Sequence, residues 1–105
     1  MNNYLPVVAA VIYQDQNLLL ARRKPSKSMG GYWEFPGGKI EDGETAESAL
    51  ARELEEEFDI QVTVGSHIAT HRHAYEHIKI ELIAHETKIE SGEFQLRDHD
   101  AIVWV

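Results

Sequence analysis

Apolar residues recur along most of the chain at the spacings of β-strands. The segment from Leu5 to Tyr13 is a nearly continuous apolar run rich in valine and alanine, which predicts a strand buried on both faces. Asp15, Gln16 and Asn17 are typical turn residues, so the next segment is predicted to pair back as a hairpin. The further predicted strands are Leu18 to Arg23, Trp33 to Pro36, Gln61 to Ala69, Ile78 to Ile89 and Ala101 to Val105.

A helical spacing replaces this pattern between Ala46 and Phe58, in a segment without glycine or proline. Leu50, Leu54 and Phe58 fall on one side of a helix and form an apolar stripe. Thr45 precedes the segment and suits the N-cap position, where its hydroxyl oxygen accepts a hydrogen bond from a backbone N–H of the first turn. One helix among several strands predicts an α/β domain.

The two segments after the helix alternate apolar and polar residues, which predicts strands of a sheet with one covered face. Between the second and third strands, Pro25 to Gly31 contains proline, two serines and two glycines, and is predicted to be a loop. The loop is either a simple connection or a functional segment, and loops of this length are more often functional.

The composition and net charge of the chain exclude several kinds of site and partner. The 105 residues, 43% of them hydrophobic, suffice for one domain spanning 1–105 with a modest core. The chain has no cysteine, which excludes disulfides and thiolate metal sites. Ten basic and eighteen acidic residues give a formal net charge of −8, which argues against binding long nucleic acid through a basic surface. No apolar run reaches membrane-spanning length, so no membrane association and a cytoplasmic location are expected.

An acidic cluster stands on the predicted helix. Glu53, Glu56 and Glu57 are three and four residues apart, so their side chains project from one face, beside the apolar stripe. Like charges at this spacing destabilise a helix unless a cation offsets them, and Mg²⁺ prefers carboxylates together with water and phosphate oxygens. The alternative is a solvated acidic face, which is the usual meaning of a run of charges.

The residues around this cluster resemble the Nudix box, the signature of the Nudix hydrolases: Gly-x5-Glu-x7-Arg-Glu-U-x-Glu-Glu-x-Gly-U, where U is a bulky aliphatic residue. The matching positions run from Gly38 through Glu44 and Arg52 to Ile60. Every fixed position matches except the last glycine, where this chain has Asp59. That glycine serves a left-handed conformation at the end of the helix, which aspartate tolerates better than most residues.

The run from Gly31 to Lys39 is similar to the GxWEFPGGK run of the MutT branch, whose members sanitise the nucleotide pool. The resemblance implies a Nudix fold, an α/β fold in which the Nudix-box helix packs on a mixed β-sheet. It implies hydrolysis of a nucleoside triphosphate to the monophosphate and pyrophosphate, with 8-oxo-dGTP as the first candidate and a role in DNA repair. The implied cofactor is Mg²⁺, for which Mn²⁺ can substitute, and the protein is expected to be a monomer or homodimer.

The resemblance also assigns residues. Those implied to hold the metal are Gly38, through its backbone carbonyl, and Glu53, Glu56 and Glu57. Those implied to act in catalysis are Glu53 as first candidate for the general base, Asp98 as the second, Arg52 as the orienting cation and Glu44 as a support of the metal shell. Those implied to bind substrate are Arg23, Phe35, Gly37 and Lys39, with the Pro25–Gly31 loop as a flap over the nucleotide.

Plainer interpretations remain open for several of these residues. Arg23 belongs to a cationic strand end that could serve solubility, Trp33 and Phe35 could be core aromatics, and Asp98 could be a turn residue. The scattered histidines could form a zinc site, although their spacing is not compact; they are His71, His73, His77 and His85.

The substrate and the extent of the domain are open as well. The alternatives are CTP or a modified pyrimidine triphosphate, ADP-ribose, a dinucleoside polyphosphate, and an inactive nucleotide-binding domain. MutT-like proteins continue with a second helix that packs on the sheet. The chain is therefore expected to be a C-terminally truncated domain with one sheet face uncovered.

Overall fold

The computed structural model describes residues 3–27 and 30–105. Within these two ranges, no helix is both long and apolar enough to cross a membrane. The elements, in chain order, are β1 (Leu5–Gln14), β2 (Asn17–Arg23), β3 (Trp33–Glu34), β4 (Gly37–Lys39), α1 (Ala46–Phe58), β5 (Gln61–Ala74), β6 (Lys79–Ser91) and β7 (His99–Trp104). The predicted loop includes Ser28 and Met29, which lie outside the described residues, so its role as a flap stays a prediction.

β1 is the central strand of the sheet. It pairs antiparallel with β2 at one end and with β4 at the other, and parallel with β6 along its length, from Leu5 opposite Ile80 to Ile12 opposite Thr87. β5 pairs antiparallel with β6, while β3 and β7 both pair antiparallel with β2. The strand order is β3-β2-β1-β6-β5, which confirms the mixed sheet.

The core lies between this sheet and α1. Leu50, Leu54 and Phe58, the predicted apolar stripe, are fully buried. They pack with side chains of the central strands, among them Val8, Ala10, Ile12, Leu19 and Ala21. Removing this apolar surface from water is what holds the helix to the sheet, and so fixes the acidic side of the helix relative to the strands.

Both ends of α1 are capped. The Thr45 hydroxyl accepts a hydrogen bond from the Ser48 N–H, and the Ser48 hydroxyl accepts one from the Thr45 N–H, a reciprocal capping box. At the other end, Asp59 adopts the left-handed conformation, with φ 59° and ψ 37°. The Arg97 guanidinium donates to the carbonyls of Glu55 and Glu56, so the segment before β7 satisfies the last turn of the helix.

The predicted strand from Trp33 to Pro36 is in fact divided. The chain pairs with β2 through Trp33 and Glu34 and then crosses to β1, where the Pro36 carbonyl accepts a hydrogen bond from the Ala10 N–H. A Cβ at Gly37 would lie 1.9 Å from the Val8 carbonyl oxygen, so only glycine permits this approach. The short strand β4 follows, and it was not predicted.

The region after the helix also differs from its prediction. β5 extends to Ala74 rather than ending at Ala69, and most of its residues are exposed. Val62 and Val64 pack against the core, but Ile68 is 49% exposed. The expectation of a covered face is therefore wrong for the outer half of β5, because this half lies at the edge of the sheet, beyond the reach of α1.

Candidate active site

The acidic side of α1 faces the glycine strand β4. A Cβ built on Gly38 would lie 2.4 to 2.7 Å from the carboxyl atoms of Glu53, so the Glu53 carboxyl occupies the space that any other residue at position 38 would fill. The β4 strand is held against β1 by pairing of Val8 with Gly38. The two glycines thus bring a strand backbone and a helix carboxylate into contact.

Arg52 organises the carboxylates around this contact. Its Nε and Nη2 donate to the two carboxylate oxygens of Glu44, at 2.7 and 2.9 Å, and its Nη1 donates to Glu53 at 3.1 Å. Nη2 also donates to the Lys39 carbonyl at 3.1 Å, which ties the helix to β4. The hydrogen bonds from Arg52 lower the pKa of Glu44 to about 2, so Glu44 is a fixed anion at neutral pH.

Glu57 lies one turn beyond Glu53 in a more buried setting. Its Oε2 is buried and has no hydrogen-bond partner within residues 3–27 and 30–105. Burial raises the pKa of Glu57 to about 8, with further contributions from the negative charges of Glu53, Asp98 and Glu34. Burial also raises the pKa of Glu53, against the opposing effect of Arg52. Several carboxyl groups are therefore held close together with too little positive charge to balance them.

Glu56 differs from its two neighbours. Its side chain is 59% exposed, and it accepts a hydrogen bond from Arg52 at 3.1 Å. Among residues 3–27 and 30–105, no three histidine, aspartate or glutamate side chains are gathered as a metal-binding group. Arg52 holds the Glu56 carboxylate to one side, and repulsion between like charges on one helix face favours this separation.

The residues that do meet fit a small hard cation. An orphaned carboxylate oxygen on Glu57, the half-buried carboxyl of Glu53 and the backbone of Gly38 offer oxygen donors only. Oxygen donors are what Mg²⁺ selects, in small numbers and together with water and phosphate.

A cavity of about 490 Å³ opens next to this group. All four residues predicted to bind substrate line it, namely Arg23, Phe35, Gly37 and Lys39. The lining also includes apolar and aromatic side chains: Val7 of β1, Ile80 and Leu82 of β6, and Tyr75 just after β5. Gly38 belongs both to the wall of the cavity and to the contact with Glu53, so β4 lies between the cavity and the carboxylates of α1.

The aromatic pair of the GxWEFPGGK-like run lies outside the core. Trp33 is 44% exposed and Phe35 is 37% exposed, so the interpretation of both as core aromatics is wrong. Phe35 faces the cavity, while the ring of Trp33 packs under the Arg22 guanidinium at 5.5 Å.

Asp98 lies near enough to the helix carboxylates for its charge to raise the pKa of Glu57. Its own carboxylate forms an ion pair with Lys27 at 3.2 Å. The position is compatible with the predicted role as second candidate base, which stays a prediction.

The histidines considered as zinc ligands do not meet at one point. His71 and His73 line the cavity, whereas the His85 ring is hydrogen-bonded through Nδ1 to the Gly65 carbonyl at 3.0 Å. His77 is largely exposed at the turn between β5 and β6.

The sequence did not single out Glu34 or the ring of His99. Glu34 lines the cavity beside Arg23, and its carboxylate contacts the fully buried His99. The one available signal was the position of Glu34 within the run from Gly31 to Lys39, next to residues already predicted to bind substrate.

Comparison with known proteins identifies the family to which the chain belongs. The NUDIX domain matches residues 7–105. The chain belongs to the Nudix hydrolase family. Nudix hydrolases act on nucleoside phosphate anhydrides and generally use divalent metal ions. The predicted Nudix fold and MutT-like character of this Nudix hydrolase are confirmed.

Individual relatives differ in what they act on. The chain is 41% identical over 100 residues to a CTP pyrophosphohydrolase of Escherichia coli (strain K12), covering 95% of this chain and 74% of that protein. It is 49% identical over 72 residues to an 8-oxo-dGTP diphosphatase of Proteus vulgaris, covering 68% and 64% of the two chains. The crystal structure of a MutT protein from Methanosarcina mazei Go1 superposes with a TM-score of 0.87 at 27% identity, covering 99% of this chain and 78% of that one.

Proposed function

We propose that this Nudix hydrolase converts a nucleoside triphosphate to the monophosphate and pyrophosphate, using Mg²⁺, for which Mn²⁺ can substitute. The observation that carries the proposal is the position of Gly38. Its backbone lines the cavity and simultaneously touches the Glu53 carboxyl, so a nucleotide in the cavity would present its phosphates to the carboxylates of α1.

The cation would be held by Glu53, Glu57 and the Gly38 carbonyl, with Glu56 as a further ligand once its carboxylate leaves Arg52. A divalent cation bound there neutralises phosphate charge and makes a water molecule more acidic. The net charge of −8 makes such neutralisation necessary, because both the site and the substrate are anionic.

The residues of the chain supply the remaining functions. Glu53 accepts the proton of the water that attacks phosphorus, while the bond to the leaving pyrophosphate breaks. Arg52 orients Glu53 through the hydrogen bond from Nη1, and Glu44 fixes Arg52 by accepting two hydrogen bonds from it. Asp98 is the second candidate for the base.

The cavity residues bind the nucleotide. Arg23 and Lys39 place positive charge at the rim of the cavity, where it attracts the negatively charged phosphates. Phe35 offers an aromatic face to the base. Gly37 lets the wall of the cavity lie against β1, because a Cβ there would meet the Val8 carbonyl oxygen.

Two substrates are candidates. The similarity to the MutT branch favours 8-oxo-dGTP, which the Proteus vulgaris relative is named for. The relative that aligns with 95% of this chain is named for CTP, so CTP is the second candidate. The bases of the two substrates differ in size and in hydrogen-bonding groups. The ratio of the two kcat/KM values therefore measures how well the cavity distinguishes them.

A nucleotide panel tests the proposal. The panel contains 8-oxo-dGTP, dGTP, CTP, a methylated pyrimidine triphosphate, ADP-ribose and a dinucleoside polyphosphate, each with Mg²⁺, Mn²⁺ or EDTA. Phosphate is measured with malachite green, with and without added inorganic pyrophosphatase. For ADP-ribose and the dinucleoside polyphosphate, alkaline phosphatase replaces the pyrophosphatase, because their hydrolysis yields phosphate monoesters. We expect cation-dependent release of pyrophosphate from 8-oxo-dGTP or CTP. Binding of nucleotides without turnover of any panel member would contradict the proposal and indicate an inactive binding domain.

A further inference from the structure

Three strand ends that carry polar side chains converge at the rim of the cavity. Arg23 ends β2, Glu34 ends β3 and His99 begins β7. β2 lies between the other two, with Arg23 opposite His99 and Ala21 opposite Glu34. The Glu34 Oε2 atom accepts a hydrogen bond from Arg23 Nη1 at 3.3 Å and lies 2.8 Å from His99 Nε2.

We propose that His99 is a positioning residue for nucleotide binding: it holds the Glu34 carboxylate, and Glu34 in turn holds the Arg23 guanidinium at the cavity rim. The inference rests on the proposed function, because it concerns the same nucleotide site.

The His99 ring is rigidly held. It is fully buried and stacks on Phe58, the last residue of α1, with 5.0 Å between ring centroids and 22° between ring planes. An ionised carboxylate only accepts hydrogen bonds, so Nε2 carries the proton and donates to Glu34. His99 Nδ1 has no hydrogen-bond partner among the described residues.

The unpartnered Nδ1 indicates that the His99 ring does more than fill space in the core. Burying a polar nitrogen without a partner costs free energy, whereas phenylalanine or leucine would pack against Phe58 without that cost. The polar ring is useful at this position through the bond from Nε2. This bond is directed at a residue that lines the cavity.

Glu34 needs such restraint. Its side chain is 35% exposed and carries negative charge beside a cavity proposed to receive phosphates. With His99 on one side and Arg23 on the other, the carboxylate is fixed, and Arg23 is held by a fixed partner. A guanidinium oriented in advance loses less conformational entropy when the nucleotide binds. Loss of the His99 bond is therefore expected to weaken binding and to leave the chemical step nearly unchanged.

Substitutions at both ends of the bond test the inference. His99→Phe keeps a ring against Phe58 and removes the donor, whereas His99→Gln retains a donor near the position of Nε2. Glu34→Ala removes the acceptor. The matched control is His85→Phe, since His85 is also buried but bonds a backbone carbonyl and does not line the cavity.

For His99→Phe we expect KM of the preferred triphosphate to rise about tenfold, the effect of losing one hydrogen bond to a charged group, with little change in kcat. His99→Gln should return KM towards the wild-type value, and His85→Phe should leave it unchanged. In a Glu34→Ala background, His99→Phe should have no further effect on KM. An equal effect of His99→Phe with and without Glu34, or an equal loss with Gln and Phe, would overturn the inference.

A measurement without turnover separates this inference from the proposed function. Long-range ¹H–¹⁵N NMR of the folded protein reports which nitrogen of His99 carries the proton. We expect the proton on Nε2, and a shifted Nε2–H resonance in Glu34→Ala. A proton on Nδ1 alone, or no response to Glu34→Ala, would refute the positioning role whether or not any nucleotide is hydrolysed.

Discussion

At the scale of single residues, Arg52 and Glu57 differ in how far the structure satisfies their polar atoms. Arg52 satisfies Glu44 and Glu53 at once, so these carboxylates stay in place in the folded protein. Glu57 has a buried oxygen that accepts no hydrogen bond from the part of the chain that the structure describes. Such a group calls for an explanation, and the negative charges of Glu53, Asp98 and Glu34 that act on Glu57 favour a cation as its partner.

Glu57→Gln is predicted to lower kcat by about 10²- to 10³-fold, which is the scale of losing one electrostatic stabiliser of the transition state. The fold should be retained, because the amide is neutral and close to the size of the carboxyl it replaces. Steady-state kinetics measure the change in kcat, and circular dichroism shows whether the fold is retained. Glu55→Gln is the control, since Glu55 is exposed on the same helix and its carboxylate accepts a hydrogen bond from the Gln61 amide.

The raised pKa of Glu57 predicts how the stability of the cation-free protein depends on pH. Between the ordinary value of 4.5 and about 8, the folded protein holds a proton that the unfolded chain releases. The free energy of unfolding should therefore fall as pH rises through this window. Glu44, whose pKa is lowered to about 2, affects stability only below the window.

Denaturant unfolding in EDTA from about pH 5 to pH 9 measures this slope. Glu57→Gln should flatten it. Protons and Mg²⁺ compete for the same oxygens, so the apparent Mg²⁺ affinity of the wild type should rise with pH over the same range. A stability that increases across the window in EDTA would contradict the assignment.

At the scale of elements, α1 was the most predictable part of the molecule. Its apolar stripe, its N-cap at Thr45 and its end at Phe58 follow from local chemistry, and all three are confirmed. β4 and the exposed half of β5 were not predictable, because each depends on the strand it meets. The crossing at Pro36 is decided by pairing with β1, which lies some 25 residues earlier in the chain.

Asp59 allows a test of the helix end. A φ of 59° is less favourable for aspartate than for glycine, and the Nudix box has glycine at this position. We predict that Asp59→Ala lowers the free energy of unfolding by about 1 kcal/mol, while Asp59→Gly leaves it equal or higher. Chemical denaturation measures both variants. A more stable alanine variant would show that the left-handed cap does not hold in solution.

At the scale of the whole molecule, the predicted binding residues come from two segments of the chain that meet at one cavity. Arg23, Phe35, Gly37 and Lys39 all line one cavity, and their role in binding the substrate stays a prediction from the resemblance to the MutT branch. The contact of His99 with Glu34 spans 65 positions and could not be inferred without the sheet pairing of β2 with β3 and β7.

The central claim is that the acidic side of α1 and the Gly38 backbone grip a divalent cation at the mouth of the nucleotide cavity. Anomalous diffraction from crystals containing Mn²⁺ and a non-hydrolysable triphosphate tests it most directly. The account predicts an anomalous peak in contact with Glu53, Glu57 and the Gly38 carbonyl oxygen. A peak only among the histidines of β5 and β6, or none beside Gly38 at Mn²⁺ concentrations that support turnover, would contradict it.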